Sequence, residues 1–333
     1  MQFKTKETGN EAICYKQVAF VVEGNGRWWL LEQLIVKSCG YIFLIILGYM
    51  LKRMGIFDAD TKSILGKLLL YITLPFAFIA NFRSFQKDEL LVCYFLIGFV
   101  TNIISIWCGR ILCGHRECRD RAMYLIECSG YNIGAFATPM IGSMLPGQAT
   151  VVSSMFDIGN SIMCIGGIYP LSRREIKKDK GNIREQIMFI VKNLFSSIPF
   201  DTYLVMLFIS LAGIRLPSVV SDVAGDFGAP SIIITMIMIG ISFEINVSKE
   251  DISDIIKILV SRYVLAVLFI VGIRMLPMLD EVQKQTLSIC VFAPVTSIST
   301  TYCNMCGCKA QVYGAVSSIS VIISMIIYVV LMS

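Results

Sequence analysis

From residue 34 onward the chain is a succession of long apolar runs separated by short charged stretches. Three runs carry no charge at all: Leu90–Gly109, Gln285–Cys308 and Ala310–Ser333. A fourth, Ala122–Ser172, holds only Glu127 and Asp157. A helix needs about 20 mostly apolar residues to cross a bilayer. The fourth run is therefore too long for one span, and Leu145-Pro146-Gly147 divides it. With charges as punctuation, the pattern predicts helices at 34–53, 61–82, 90–112, 121–145, 149–171, 193–213, 223–244, 254–275, 284–305 and 310–332. The runs are too long and too uniformly apolar for barrel strands, so the fold class is an all-α integral membrane protein with ten transmembrane helices.

Basic residues orient these spans, because connections rich in Lys and Arg stay in the cytoplasm. The connection at 172–192 is the most basic, with Arg173, Arg174, Lys177, Lys178, Lys180, Arg184 and Lys192. Placing it in the cytoplasm puts 17 basic residues on that side against 5 in the opposite connections, and both termini then face outward. The same connection splits the spans five and five. An odd number per half forces the second half to enter with the opposite orientation, the layout of inverted repeats in many secondary transporters. Pro75 and Pro230, Pro139 and Pro294, and Gly159 and Gly314 share one spacing across the two halves. The domains expected are an N-terminal extension at 1–33, a first five-helix repeat at 34–171, the basic loop at 172–192 and a second repeat at 193–333. The extension reads either as a short outer helix behind Trp28 and Trp29 or as the product of an upstream start codon.

Composition removes whole classes. The chain is 56% hydrophobic and 16% charged, against roughly a quarter charged in soluble domains. With a mean hydropathy of +0.71 it cannot cover its own surface in water. That excludes a soluble globular enzyme, a disordered chain and a nucleic-acid binder. His115 is the single histidine, so chemistry needing several imidazoles is excluded too. Most of the twelve cysteines lie in apolar runs and behave as small hydrophobes. Neither Cys113-x4-Cys118 nor Cys303-x-x-Cys306-x-Cys308 has zinc-site spacing, so no metal is expected. No phosphate-binding motif is present, no cofactor is expected, and the chain does not read as an enzyme.

The chemistry is expected where helices four and nine are weakened. Helix four reads Tyr131-Asn132-Ile133-Gly134-Ala135-Phe136-Ala137-Thr138-Pro139, and helix nine reads Ala293-Pro294-Val295-Thr296-Ser297. Proline removes a helix hydrogen bond and clashes one turn back. Two helices broken by Pro139 and Pro294 can cross near the bilayer centre. Their free amides and half-helix N-termini then cradle an anion. Gly134 adds a second weak point, and Asn132, Thr138, Thr296 and Ser297 add side-chain hydrogen bonds. Asp157, about nine residues into helix five, forms a polar face with Asn160 one turn on. An intramembrane carboxyl is a functional candidate by default, so Asp157 is the candidate proton-coupling group. Glu127 and Lys67 read as shallower, and no lysine or arginine is expected at mid-depth beside either proline.

These residues resemble the auxin efflux carrier family, which includes bacterial malonate and malate permeases and the plant PIN carriers. The resemblance rests on Gly48-Tyr49-Met50-Leu51-Lys52-Arg53-Met54-Gly55-Ile56, Ile72-Thr73-Leu74-Pro75, Asn132 through Pro139, Asp157-Ile158-Gly159-Asn160, Ala229-Pro230-Ser231 and Ala293-Pro294. It implies two inverted five-helix repeats crossing at helices four and nine, with an organic anion bound beside the crossing. Asn132 matches the family's asparagine seven residues before the crossover proline, whereas helix nine lacks an amide side chain just before Pro294. The substrate-binding set expected is Asn132, Gly134, Thr138, Pro139, Asn160, Pro294, Thr296 and Ser297. The expected function is secondary transport of small organic anions such as mono- or dicarboxylates across the plasma membrane. The expected partners are the lipid bilayer and that anion, with H+ as candidate coupling ion and a homodimer as candidate assembly. A sodium-coupled bile-acid-type symporter and a non-transporting membrane sensor on the same fold remain as alternatives.

Overall fold

A computed structural model describes residues 26–81, 90–145, 147–177, 198–214, 216–243 and 247–332, with a few positions between 188 and 195. The extension before residue 26 and most of the basic loop lie outside these. The described residues form helices α1 (Gly26–Arg53), α2 (Ala59–Leu68), α3 (Leu74–Asn81), α4 (Leu91–Cys113), α5 (Cys118–Glu127), α6 (Thr138–Met144), α7 (Gly147–Met163), α8 (Tyr169–Lys177) and α9 (Ile198–Leu211). They continue as α10 (Ser218–Gly228), α11 (Ser231–Ser242), α12 (Ile252–Arg274), α13 (Glu281–Val291), α14 (Ile298–Met305) and α15 (Ala310–Met332). Six helical stretches among the described residues are long and apolar enough to cross a membrane: Asp60–Ala80, Leu91–Cys113, Gly147–Ile176, Ser218–Ile241, Ile252–Arg274 and Ala310–Leu331.

Polarity is arranged for lipid. Helix α12 buries Asp254, Ser261 and Arg262 while Val260, Val264, Val267 and Leu268 face outward. A helix of a water-soluble protein does the reverse. Helix starts are conventional where they meet the polar connections. Asp58 and Thr61 at α2, and Asp280 and Gln283 at α13, each make a reciprocal capping box. The Thr61 amide and hydroxyl hold the Asp58 carboxyl below its ordinary pKa.

Prolines shape the helices in a repeated way. Three π-turns, Leu69–Thr73, Ile133–Ala137 and Cys164–Ile168, run directly into α3, α6 and α8. The second residue of each following helix is a proline: Pro75, Pro139 and Pro170. A proline ring clashes with the carbonyl four residues back. Widening the preceding turn to i+5 bonding relieves the clash and keeps the chain helical.

The helices form two groups. In one, α1 packs on α11, α10 on α3 and α9 on α3. In the other, α4, α5, α7, α12, α13, α14 and α15 pack around the segments where helices stop and restart. The closest seams use glycine. A Cβ on Gly98 would strike the Phe156 carbonyl, and one on Gly159 the Phe95 carbonyl, so α4 and α7 meet backbone to backbone. Gly48 and Gly240 do the same for α1 and α11. Gly314, placed by spacing opposite Gly159, has open space instead.

Candidate functional site

Helix α5 ends at Glu127, and the chain runs extended through Ser129, Gly130, Tyr131 and Asn132 before the next π-turn. Gly130 has φ +73°, a conformation that costs an L side chain energy. A Cβ there would also lie 2.8 Å from Thr296 Cγ2 and 3.1 Å from Cys164 Sγ. Helix α13 ends at Val291, and Pro294 lies in the extended stretch before α14. The two interruptions cross. Tyr131 and Val295 form an antiparallel bridge, and the Asn132 amide donates to the Pro294 carbonyl at 2.9 Å.

This corrects the expectation for helix four. Its break is made by Gly130 rather than by Pro139. Pro139 sits in the first turn of α6, directly after the π-turn Ile133–Ala137 that accommodates its ring. The residue hydrogen-bonded to Pro294 is Asn132, and the counterpart of Val295 in the bridge is Tyr131.

Side chains from three neighbouring helices hold the first interruption. Asn160 of α7 accepts from the Tyr131 amide at 3.0 Å and donates to the Tyr131 carbonyl at 2.9 Å. Asn102 of α4 accepts from the Gly130 amide at 2.9 Å and donates to Asn160 Oδ1 at 3.2 Å. Arg262 of α12 donates through Nη1 to the carbonyls of Glu127 and Ser129, both at 3.0 Å. Its Nη2 donates to Gly130 at 2.9 Å and to Ala293 at 3.4 Å. The guanidinium also lies over the Tyr131 ring, 5.5 Å from its centre. A helix end leaves carbonyls with no partner inside the helix. Arg262 supplies those partners and brings a positive charge to the negative end of α5.

The expectation of no basic residue at mid-depth is thus overturned by Arg262. Sequence reading passed over it because it took the charges of this span as flanks. Yet Arg262 stands in the middle of α12, in Leu259-Val260-Ser261-Arg262-Tyr263-Val264, and that position was the available signal. Asn102 was missed in the same way. Glu127 is enclosed by protein as well. Its side chain is wholly buried at the end of α5, with Oε1 accepting from Cys303 Sγ at 3.4 Å.

Beside the crossing, between the two helix groups, lies a cavity of about 330 Å3. Lys62, Leu69, Thr235 and Met238 line one wall, and Asn132, Val295, Ser297, Thr300, Thr301, Ser317 and Ser318 line the other. Among the described residues no carboxylate lines it. Thr235 Oγ1 and Ser317 Oγ are buried and make no hydrogen bond among the described residues.

The profile of the family described as membrane transport protein matches residues 35–332. The chain belongs to the auxin efflux carrier family. It is therefore a multi-pass membrane protein of a transporter family. Among curated proteins none matches the chain.

In this auxin efflux carrier family member the expected site residues fall into three places. Asn132 and Ser297 line the cavity. Asn160, Pro294 and Thr296 belong to the crossing, where Asn160 and Pro294 bond its backbone and Thr296 packs on Gly130. Gly134, Thr138, Pro139 and Asp157 lie on the following segment or against it. Thr138 Oγ1 is 3.4 Å from Ser153 Oγ. Asp157 Oδ1 accepts from Asn160 Nδ2 at 2.9 Å, and its Oδ2 faces the backbone of Gly134. Asp157 is not among the described residues that line the cavity.

Proposed function

We propose that the chain is a secondary carrier of small organic anions, such as mono- or dicarboxylates, working by alternating access around the crossing. The observation that carries this is the cavity. Among the described residues it has hydroxyl, amide and lysine groups on its walls and no carboxylate. Its volume of about 330 Å3 is at the small end for ligand sites. The segment entering α6 and the N-terminus of α14 both begin at the crossing, and helix N-termini favour negative charge.

In this reading the ten helices are two inverted five-helix repeats. Reciprocal packing supports it: α1 lies on α11 as α9 lies on α3, and α5 follows α4 as α13 follows α12. The basic connections are cytoplasmic, the termini face outward, and the plasma membrane is the site of action. Lys62 and α14 then place the cavity toward the cytoplasm. H+ is the coupling ion and Asp157 the candidate carrier, acting by position. Its carboxylate holds Asn160, and Asn160 holds both sides of the Tyr131 peptide. A homodimer is the assembly to test.

Thermal unfolding of the full chain in lipid nanodiscs, screened against mono- and dicarboxylates, tests the substrate class. Carboxylates are expected to raise the midpoint and Ser297→Ala to reduce the effect. Stabilisation by organic cations alone would refute the reading. For coupling, Asp157→Asn is expected to remove the pH dependence of carboxylate uptake into proteoliposomes while leaving the thermal shift. An unchanged pH profile would make Asp157 structural.

A further inference from the structure

The function proposed above makes no use of the Cys303-x-x-Cys306-x-Cys308 run. It closes α14 with a defined local geometry. The Cys308 amide donates to the Cys303 carbonyl at 2.9 Å, and the Gly307 amide donates to the Asn304 carbonyl at 3.0 Å. Gly307 has φ +66°. These are the two bonds and the left-handed residue of a Schellman motif. That motif brings the side chain just beyond the helix against one in its last turn, usually as an apolar contact. Here the two residues so paired are Cys308 and Cys303.

The two thiols differ in what surrounds them. Cys303 is wholly buried, and its Sγ donates to Glu127 Oε1 at 3.4 Å. Cys308 is partly exposed, donates through Sγ to the Arg119 carbonyl at 3.6 Å, and lines a second cavity, of about 690 Å3, with His115, Arg116, Glu117, Arg119, Asp120 and Lys309. The Arg119 side chain lies against Gly307. Cys306, between them in sequence, is buried. One thiol of the pair is thus open to a small reactant in a charged cavity, and the other is buried next to the Glu127 side chain.

We propose that Cys303 and Cys308 are a redox-active dithiol, oxidised to an intramolecular disulfide by a small disulfide compound that enters this polar cavity. Cys308 sulfur attacks one sulfur of the oxidant. A mixed disulfide forms, the oxidant's S–S bond breaks, and the first small thiol leaves with the Cys308 proton. Cys303 gives its proton to Glu127 Oε1 and attacks Cys308 Sγ. The second small thiolate leaves and takes a proton from solvent. Two S–H groups become one S–S bond, and the oxidant is reduced to two thiols. The product fixes the end of α14, whose Thr300 and Thr301 line the ligand cavity. It also protonates Glu127 and replaces the thiol donor facing it by a disulfide sulfur.

The full chain in nanodiscs is incubated with oxidised glutathione, denatured, and alkylated with one maleimide. It is then reduced and alkylated with iodoacetamide before peptide mass spectrometry. Cys303 and Cys308 are expected to carry the second label together, while Cys290 and Cys306 carry the first. Cys306→Ser is expected to leave this pattern unchanged. Cys303→Ser is expected to stop at a stable glutathione adduct on Cys308. Pairing through Cys306, a stable adduct in the wild type, or no oxidation of either thiol overturns the proposal. Oxidised-minus-reduced infrared spectra are expected to show the carbonyl band of a protonated carboxyl, lost in Glu127→Gln. Its absence from the wild type overturns the assignment of the proton to Glu127.

Discussion

Between Glu127 and Ile133 the freed backbone is held by dedicated side chains: Arg262 on three carbonyls, Asn102 on the Gly130 amide, Asn160 on both sides of Tyr131. Between Val291 and Ile298 the provision is lighter. Ser320 Oγ accepts from the Val295 amide at 3.2 Å, Asn132 donates to Pro294, and a long bond from Arg262 reaches Ala293. Two interruptions of the same kind are thus stabilised differently. Broken helix inside a bilayer is tolerated where protein satisfies it or where it borders a cavity. The first interruption follows the first route. The second follows the other, since Val295 and Ser297 line the cavity while Asn132 alone does so from the first. The more heavily bonded crossing strand therefore positions the less heavily bonded one.

Substitutions test this asymmetry, beginning with the largest effect. Arg262→Leu leaves three buried carbonyls without donors, each costing about 1–3 kcal/mol. Loss of most folded protein in detergent-solubilised expression trials is expected, with partial recovery in Arg262→Lys, which keeps the charge without the fork. Asn160→Ala uncovers both sides of Tyr131 and is expected to cost roughly 2–4 kcal/mol in reversible unfolding. Gly130→Ala meets both the strained φ and the Thr296 contact, and about 2 kcal/mol is expected. Ser320→Ala removes one hydrogen bond and is expected to cost about 1 kcal/mol. A loss from Ser320→Ala as large as that from Asn160→Ala would erase the distinction between the two interruptions.

Sequence made the spans legible because transfer into lipid is dominated by side-chain hydrophobicity, which is local. The runs at Leu91–Cys113, Ile252–Arg274 and Ala310–Leu331 need no partner to be recognised. Pro294 was read correctly as part of an interruption for the same reason. The break in helix four was assigned to Pro139 because proline is the conspicuous helix breaker. A π-turn absorbs that proline, and the work falls to Gly130, an inconspicuous glycine next to Tyr131. The partners of the break were harder to see. Asn102, Asn160 and Arg262 act across gaps of 28, 29 and 132 positions, and no periodicity in their own helices announces the target. Asn160 was found because it stands one turn from Asp157. Arg262 and Asn102 could have been found by asking why a polar group sits in mid-span.

The glycine seams have a mechanical consequence. Where α4 meets α7 at Gly98 and Gly159, and α1 meets α11 at Gly48 and Gly240, no layer of flexible side chains separates the backbones. Sliding along such a seam would drive carbonyls into Cα atoms within a fraction of a residue's rise. Close-packed surfaces of this sort do not deform gradually. Each seam acts as a keyed joint that turns its two helices into one stiff lever. Compliance is left to the surfaces between the levers, where whole side chains and the cavity intervene.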